Sequence, residues 1–95
     1  MSQQESTNRY RAIDDSEIED FTSILRGQGW DPGDFRIEET VDDPRPAAVP
    51  GLVLTTATVR VTHTKTGASC QYRAGDDATA WVIEFEQDLL AGRFR

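Results

Sequence analysis

Hydrophobic and polar residues alternate over most of the segment 53–64, and this pattern predicts a β-strand with one buried face. Most of the segment is Val and Thr, whose branched Cβ atoms suit a pleated sheet. A polar tetrapeptide ending in Gly67 follows, and a glycine at that point favours a turn. Alternation resumes over residues 68–74. We therefore expect a long β-hairpin, around which the rest of the chain is arranged.

The register of this hairpin follows from matching its two apolar faces. Placing Val61 opposite Cys70 aligns the apolar residues of both strands, whereas a slip of one residue would set Val61 against Gln71. We therefore predict the aligned register, closed by a loop of two or four residues. The other face then carries three polar pairs: Thr58 with Arg73, Arg60 with Gln71, and Thr62 with Ser69.

Two leucines at the start of the hairpin do not fit the alternation. Leu52 and Leu54 fall on the polar side by parity. A β-bulge near Thr55 and Thr56 would return both leucines to the core. Without a bulge, they form a small exposed apolar patch.

The segments on either side of the hairpin have helical periodicity. Residues 13–28 carry apolar side chains at helical spacing, and Asp14 with Glu17 forms the sequence of a capping box. A second helix is predicted over residues 78–91, with Gly92 as its stop. Its apolar face is formed by Ala78, Trp81, Val82, Phe85 and Leu89.

Between the first helix and the hairpin, the chain predicts a turn, a strand and a stiff connection. Residues 30–34 contain Pro-Gly at the central positions of a type II turn. Residues 35–41 alternate between apolar and polar side chains, except that Glu39 falls on the apolar side. This pattern predicts an edge strand whose end is exposed to solvent. Three prolines in residues 42–51 exclude a central strand or a helix there.

The element order is α-β-β-β-α, which predicts an α+β fold. We expect a three-stranded antiparallel sheet with both helices packed on its apolar face, and an opposite face open to solvent. Residues 13–95 form one such domain in this interpretation. Residues 1–12 are polar and lack periodicity, so we expect a flexible N-terminal tail.

Charge is distributed unevenly along the 95 residues, which carry a formal net charge of −7. Residues 14–43 hold most of the acids, whereas residues 44–75 hold four bases and no acid. The hairpin is therefore a positively charged segment in a protein of negative net charge.

Nearly all of the basic residues are Arg, which suggests a bacterial origin with a GC-rich genome. The lone Cys70 excludes an internal disulfide, and no membrane span or signal peptide is visible, so we expect a cytoplasmic protein.

Candidate chemistry is sparse. His63 and Cys70 share one face of the hairpin and form a thiol–imidazole combination, the basis of a hypothesis of a small enzyme. No third group or oxyanion hole accompanies them, and a core cysteine beside a rim histidine is the competing interpretation. The acids of the first helix lack the spacing of a calcium loop. Gly27-Gln28-Gly29 lacks the strand and Lys of a phosphate loop. We predict no cofactor, no metal site and no catalytic residue.

The element order resembles that of double-stranded-RNA-binding domains. The resemblance covers topology only. In that family a basic cluster at the start of the last helix grips phosphates, whereas this sequence has Asp76, Asp77, Ala78 and Thr79 there. That difference removes the main electrostatic contact, so no site residue is transferred from the family.

The polar face of the sheet is the candidate partner-binding surface. Its residues are Thr58, Arg60, Thr62, Lys65, Gln71 and Arg73. We expect a non-enzymatic protein-interaction or accessory module, monomeric or weakly dimeric, that binds an unknown protein partner through this face. Trp30, beside a turn, is either core or an exposed anchor for a partner. The alternative is a nucleic-acid-related protein, either a weak binder through the basic hairpin or an acidic mimic of nucleic acid.

Overall fold

The computed structural model describes residues 10, 12–43, 45–46, 50–75 and 80–95. Most of the predicted tail, the middle of the proline-rich connection and Asp76 to Thr79 lie outside these residues. The elements, in chain order, are α1 Asp15–Gly27, β1 Phe35–Val41, β2 Arg45–Pro46, β3 Val53–Leu54, β4 Thr56–His63, β5 Ser69–Gly75 and α2 Trp81–Leu90. Among the described residues, no helix is long and apolar enough to cross a bilayer.

The main sheet has three antiparallel strands in the order β1-β4-β5. The predicted hairpin register is confirmed, because Val61 lies opposite Cys70 and Arg60 opposite Gln71. The backbone N–H of His63 donates to the carbonyl of Ala68 at 2.8 Å, so the loop contains four residues. The prediction that residues 35–41 form an edge strand is also confirmed, and their alternating burial matches the alternating sequence.

The start of the hairpin differs from the bulge interpretation. β3 does not continue into β4 but pairs with β2 in a separate two-stranded sheet. The strand is interrupted at Thr55, and the side chains of Leu52 and Val53 remain 53% and 55% exposed. The alternative of a small exposed apolar patch therefore holds for Leu52, because no bulge returns it to the core.

The first helix begins as predicted, but the turn after it does not have the expected type. The backbone N–H of Asp14 donates to Glu17 Oε1 at 3.0 Å, as in a capping box. The expected type II turn is instead a short 3₁₀ turn at Pro32–Asp34. The Asp31 side chain accepts a hydrogen bond from Gly33 N–H at 2.9 Å, and Gly33 is not among the positive-φ glycines that a type II turn requires.

Both helices pack on the same face of the sheet, as predicted, and enclose an aromatic core. Phe85 of α2 is fully buried, and its ring lies 4.7 Å from that of Phe21 and 5.4 Å from that of Phe94, measured between centroids. The burial of Phe94 was not predicted, since it follows the helix stop. Gly92 has φ +82°, which lets the chain reverse and returns Phe94 to the core.

Replacing Phe85 with Ala should destabilise the fold by about 3–5 kcal/mol, because the cavity would open among several rings that cannot all move to fill it. The free energy of unfolding from urea titration measures the effect. The matched control is Ile83→Ala on the outer face of α2, where the side chain is 58% exposed. A similar loss for both variants would contradict the assigned helix face.

Candidate interaction face

The open face of the sheet is organised in rows that run across three strands. The middle row is Glu38 on β1, Arg60 on β4 and Gln71 on β5. The row on one side is Thr40, Thr58 and Arg73, and the row on the other is Arg36, Thr62 and Ser69. Five of the six predicted partner-binding residues lie in these rows, and Lys65 lies in the hairpin loop. We call these three rows the open face.

Arg60 lies at the centre of the open face. Its side chain is exposed, and within the described part of the chain it forms neither an ion pair nor a hydrogen bond. A shallow depression of about 130 Å³ adjoins it, lined by Glu38, Thr40, Thr58, Arg60 and Gln71. The surrounding hydroxyl, amide and carboxylate groups make this depression a polar site rather than an apolar one.

One edge of the open face is fixed by Asp42, which the sequence analysis assigned only to the stiff proline-rich connection. Asp42 Oδ2 accepts hydrogen bonds from Thr56 Oγ1 and from the guanidinium of Arg73, both at 2.7 Å. Arg73 also donates to Thr58 Oγ1 at 3.3 Å. The alternation of β1 could have predicted this position, since residue 42 continues the series of polar, open-face residues that begins at Arg36. Arg73 is therefore held in place, whereas no described residue holds the side chain of Arg60.

The basic residues of the hairpin are partly neutralised by acids from elsewhere in the chain. Lys65 lies 3.3 Å from Asp34 Oδ2, and Arg73 is paired with Asp42. Glu38 occupies the position next to Arg60 on the neighbouring strand. The segment that is positively charged in the sequence therefore contributes to a face of mixed charge in the folded protein.

His63 and Cys70 have separate surroundings. The imidazole of His63 is buried, packs 4.7 Å from the ring of Phe35, and its Nδ1 lies 3.0 Å from Thr66 Oγ1. Trp30 packs against the same imidazole at 5.1 Å and is half-buried, so the structure gives it a packing role. These contacts do not include the Cys70 thiol.

Cys70 lies instead beside a hydrogen-bonded group under α2. Tyr72 donates to Asp88 Oδ2 at 2.8 Å, and Arg93 Nε lies 3.1 Å from Asp88 Oδ1. Burial raises the pKa of the Cys70 thiol, and burial also raises the pKa of Tyr72. A raised pKa lowers the thiolate fraction, so this environment does not activate Cys70 as a nucleophile.

Among the described residues, no group of three or more His, Cys, Asp or Glu side chains is arranged to hold a metal ion. Comparison with protein-family models, with curated proteins and with solved structures found no match for this chain.

Replacing Asp42 with Ala should lower the free energy of unfolding by about 1–3 kcal/mol. The reason is that the buried Thr56 hydroxyl loses its acceptor while Arg73 loses its ion-pair partner. Chemical denaturation measures the difference. Asp43→Ala, at the exposed neighbouring position, serves as the control and should change stability by less than about 0.5 kcal/mol. Equal effects would show that Asp42 does not fix this edge.

Alkylation of Cys70 by iodoacetamide should be several-fold slower in the folded protein than in the same chain unfolded in urea. Because burial raises the thiol pKa, the rate should also keep rising at pH values where the unfolded chain has reached its plateau. Mass spectrometry of the alkylated protein across a pH series gives both rates. A folded rate above the unfolded rate would instead restore the nucleophile hypothesis.

Proposed function

We propose that this protein is a non-enzymatic interaction module that binds a protein partner through the open face, with Arg60 as its central contact. The observation that supports this proposal is an exposed guanidinium with no bond to the described residues, at the centre of a polar sheet surface. Stability does not explain such a residue, because an unpaired exposed charge contributes little to folding. We further propose a cytoplasmic location in a bacterium, in line with the lone thiol and the Arg-rich composition.

The chemistry of the open face favours a carboxylate-bearing segment as the partner. A guanidinium forms two parallel hydrogen bonds with a carboxylate, and Gln71 and the threonine hydroxyls beside it supply further donors and acceptors. Glu38 next to Arg60 disfavours a dense polyanion, because like charges would face each other. The same mixed charge weakens the case for direct nucleic-acid binding by the hairpin, which needs a continuous basic surface.

Charge reversal at Arg60 tests the proposal. Arg60→Glu should reduce partner capture by about tenfold or more, since it removes the central hydrogen-bond donor and introduces repulsion. The assay is affinity capture from lysate of the source cells, run in parallel with and without nuclease and quantified by mass spectrometry. Arg26→Glu is the matched control, because it makes the same change on the last turn of α1, on the helical side of the sheet.

The outcomes separate the two candidate functions. A protein captured with nuclease present, lost in Arg60→Glu and kept in Arg26→Glu supports the interaction module. Recovery that disappears on nuclease treatment would overturn it in favour of the nucleic-acid-related alternative. Equal capture by wild type and Arg60→Glu would exclude the open face as the binding surface.

A further inference from the structure

The outer edge of β5 carries backbone groups that no other described residue bonds. In an antiparallel ladder, residues alternate between bonding to the neighbouring strand and pointing away from it. His63 N–H bonds to the carbonyl of Ala68, so Cys70, Tyr72 and Ala74 complete the ladder with β4. The backbone N–H and C=O groups of Ser69, Gln71 and Arg73 consequently point outward. Within the described part of the chain, no hydrogen bond reaches them.

A hollow runs along this same edge. It has a volume of about 290 Å³ and is lined by Thr58, Gln71, Tyr72, Arg73 and Glu84. The lining comes from the outer strand β5, its neighbour β4, and α2 above the sheet. Space of this kind beside an unpaired strand is where an added strand would lie.

The edge is also long and unprotected. β5 has seven residues, contains no proline, and no described element covers its outer side. Soluble proteins commonly block such an edge, because it is a template for pairing with another chain. The opposite edge, β1, differs, since its centre carries the adjacent acids Glu38 and Glu39, and Glu39 accepts a hydrogen bond from Ala12 N–H at 2.7 Å.

We propose that β5 pairs antiparallel with β5 of a second copy of this chain, with the two-fold axis at Gln71, and forms a continuous six-stranded sheet. In this register Gln71 of each copy lies opposite the other, and Ser69 lies opposite Arg73 of the other copy. All three outward-pointing residues of both strands are then bonded. No like charges lie opposite one another, whereas an axis at Arg73 would oppose two guanidinium groups.

The charges on α2 and in the turn after it agree with the same two-fold arrangement. α2 packs over β5 in the reverse direction, with Glu84 near Arg73 and with Arg93 near Cys70. An antiparallel pair therefore brings Glu84 of one copy toward Arg93 of the other, twice. A self-complementary charge pattern of this kind favours a second copy over an unrelated peptide as the occupant of the edge.

Light scattering coupled to size-exclusion chromatography tests the proposal on the purified chain. The mass should rise with concentration from 10.6 kDa to twice that value. Gln71→Lys should keep the protein monomeric at concentrations where wild type is dimeric, because it places two ammonium groups opposite each other at the axis. Gln28→Lys, the same change at an exposed position beyond the end of α1, should dimerise like wild type.

Cross-linking tests the register. Antiparallel residues that exchange hydrogen bonds have Cα atoms about 5.5 Å apart, a separation that a disulfide spans. The Cys70→Ser/Gln71→Cys variant should therefore form an intermolecular disulfide when copper–phenanthroline and dissolved oxygen remove two electrons and two protons from the thiol pair. Wild-type Cys70 should cross-link much less, since the two Cys70 Cα atoms would lie roughly 8 Å apart.

Each result decides the proposal independently of the function proposed above, because both assays use the purified protein alone. Dimerisation that depends on Gln71, with cross-linking at residue 71, supports the pairing. A monomer at every concentration overturns it. A dimer that Gln71→Lys leaves intact uses another surface, and stronger cross-linking through wild-type Cys70 places the axis elsewhere; both results would also overturn it.

Discussion

The pairing of β4 with β5 is the constraint on which the remaining structure depends, because it assigns every residue of both strands to one of two faces. In the observed register, the side chains of Val59 and Val61 are fully buried and Arg60 between them faces solvent. A slip of one residue would turn the guanidinium of Arg60, which no described residue pairs, toward an aromatic core, at a cost of several kcal/mol. The hydrophobic core and the open face are therefore two consequences of one set of backbone hydrogen bonds.

The far end of this ladder is fixed by close packing and by a buried polar group. Gly75 lies opposite Thr56 with φ +114°, and a side-chain carbon there would collide with the backbone of Thr55 and lie 2.7 Å from Thr56 Cα. The hydroxyl of Thr56 is satisfied by Asp42, which also holds Arg73. Only glycine fits at position 75, and Asp42 accepts hydrogen bonds from two side chains. A shift of this end of the sheet would therefore disrupt the close packing at Gly75 and break the hydrogen bonds to Asp42.

Much of the fold could be predicted from the sequence, since alternation and helical periodicity report directly on burial. They predicted the hairpin register, both helices and the open face. The missed features depend on individual side-chain contacts and on a chain reversal, which the periodicity of a single element does not report. Phe94 follows a helix stop and is buried only because Gly92 reverses the chain. The role of Asp42 requires β1 to lie beside β4, and the 3₁₀ turn requires the Asp31 side chain to cap Gly33.

The sequence predicted which hairpin residues lie on the open face. It did not predict the charge of that face, because the neutralising acids come from outside the hairpin. The charge count along the sequence showed a basic hairpin, yet β1 and the residues on either side of it bring three acids next to its bases: Asp34, Glu38 and Asp42. What distinguishes Arg60 from Arg73 is therefore the neighbour that each finds in the folded sheet, and a linear count of charges contains no information about neighbours.

The open face and the edge of β5 share Ser69, Gln71 and Arg73, and Gln71, at the proposed axis, links the two proposals. Gln71 is the last member of the row that contains Glu38 and Arg60. A two-fold axis at Gln71 would extend this row across six strands and place two Arg60 side chains on one surface, three strand spacings or about 14 Å apart. A partner with two suitably spaced acidic groups would then gain avidity that a single acidic group could not obtain. The strength of partner binding would accordingly depend on protein concentration, because it would follow the assembly of the sheet.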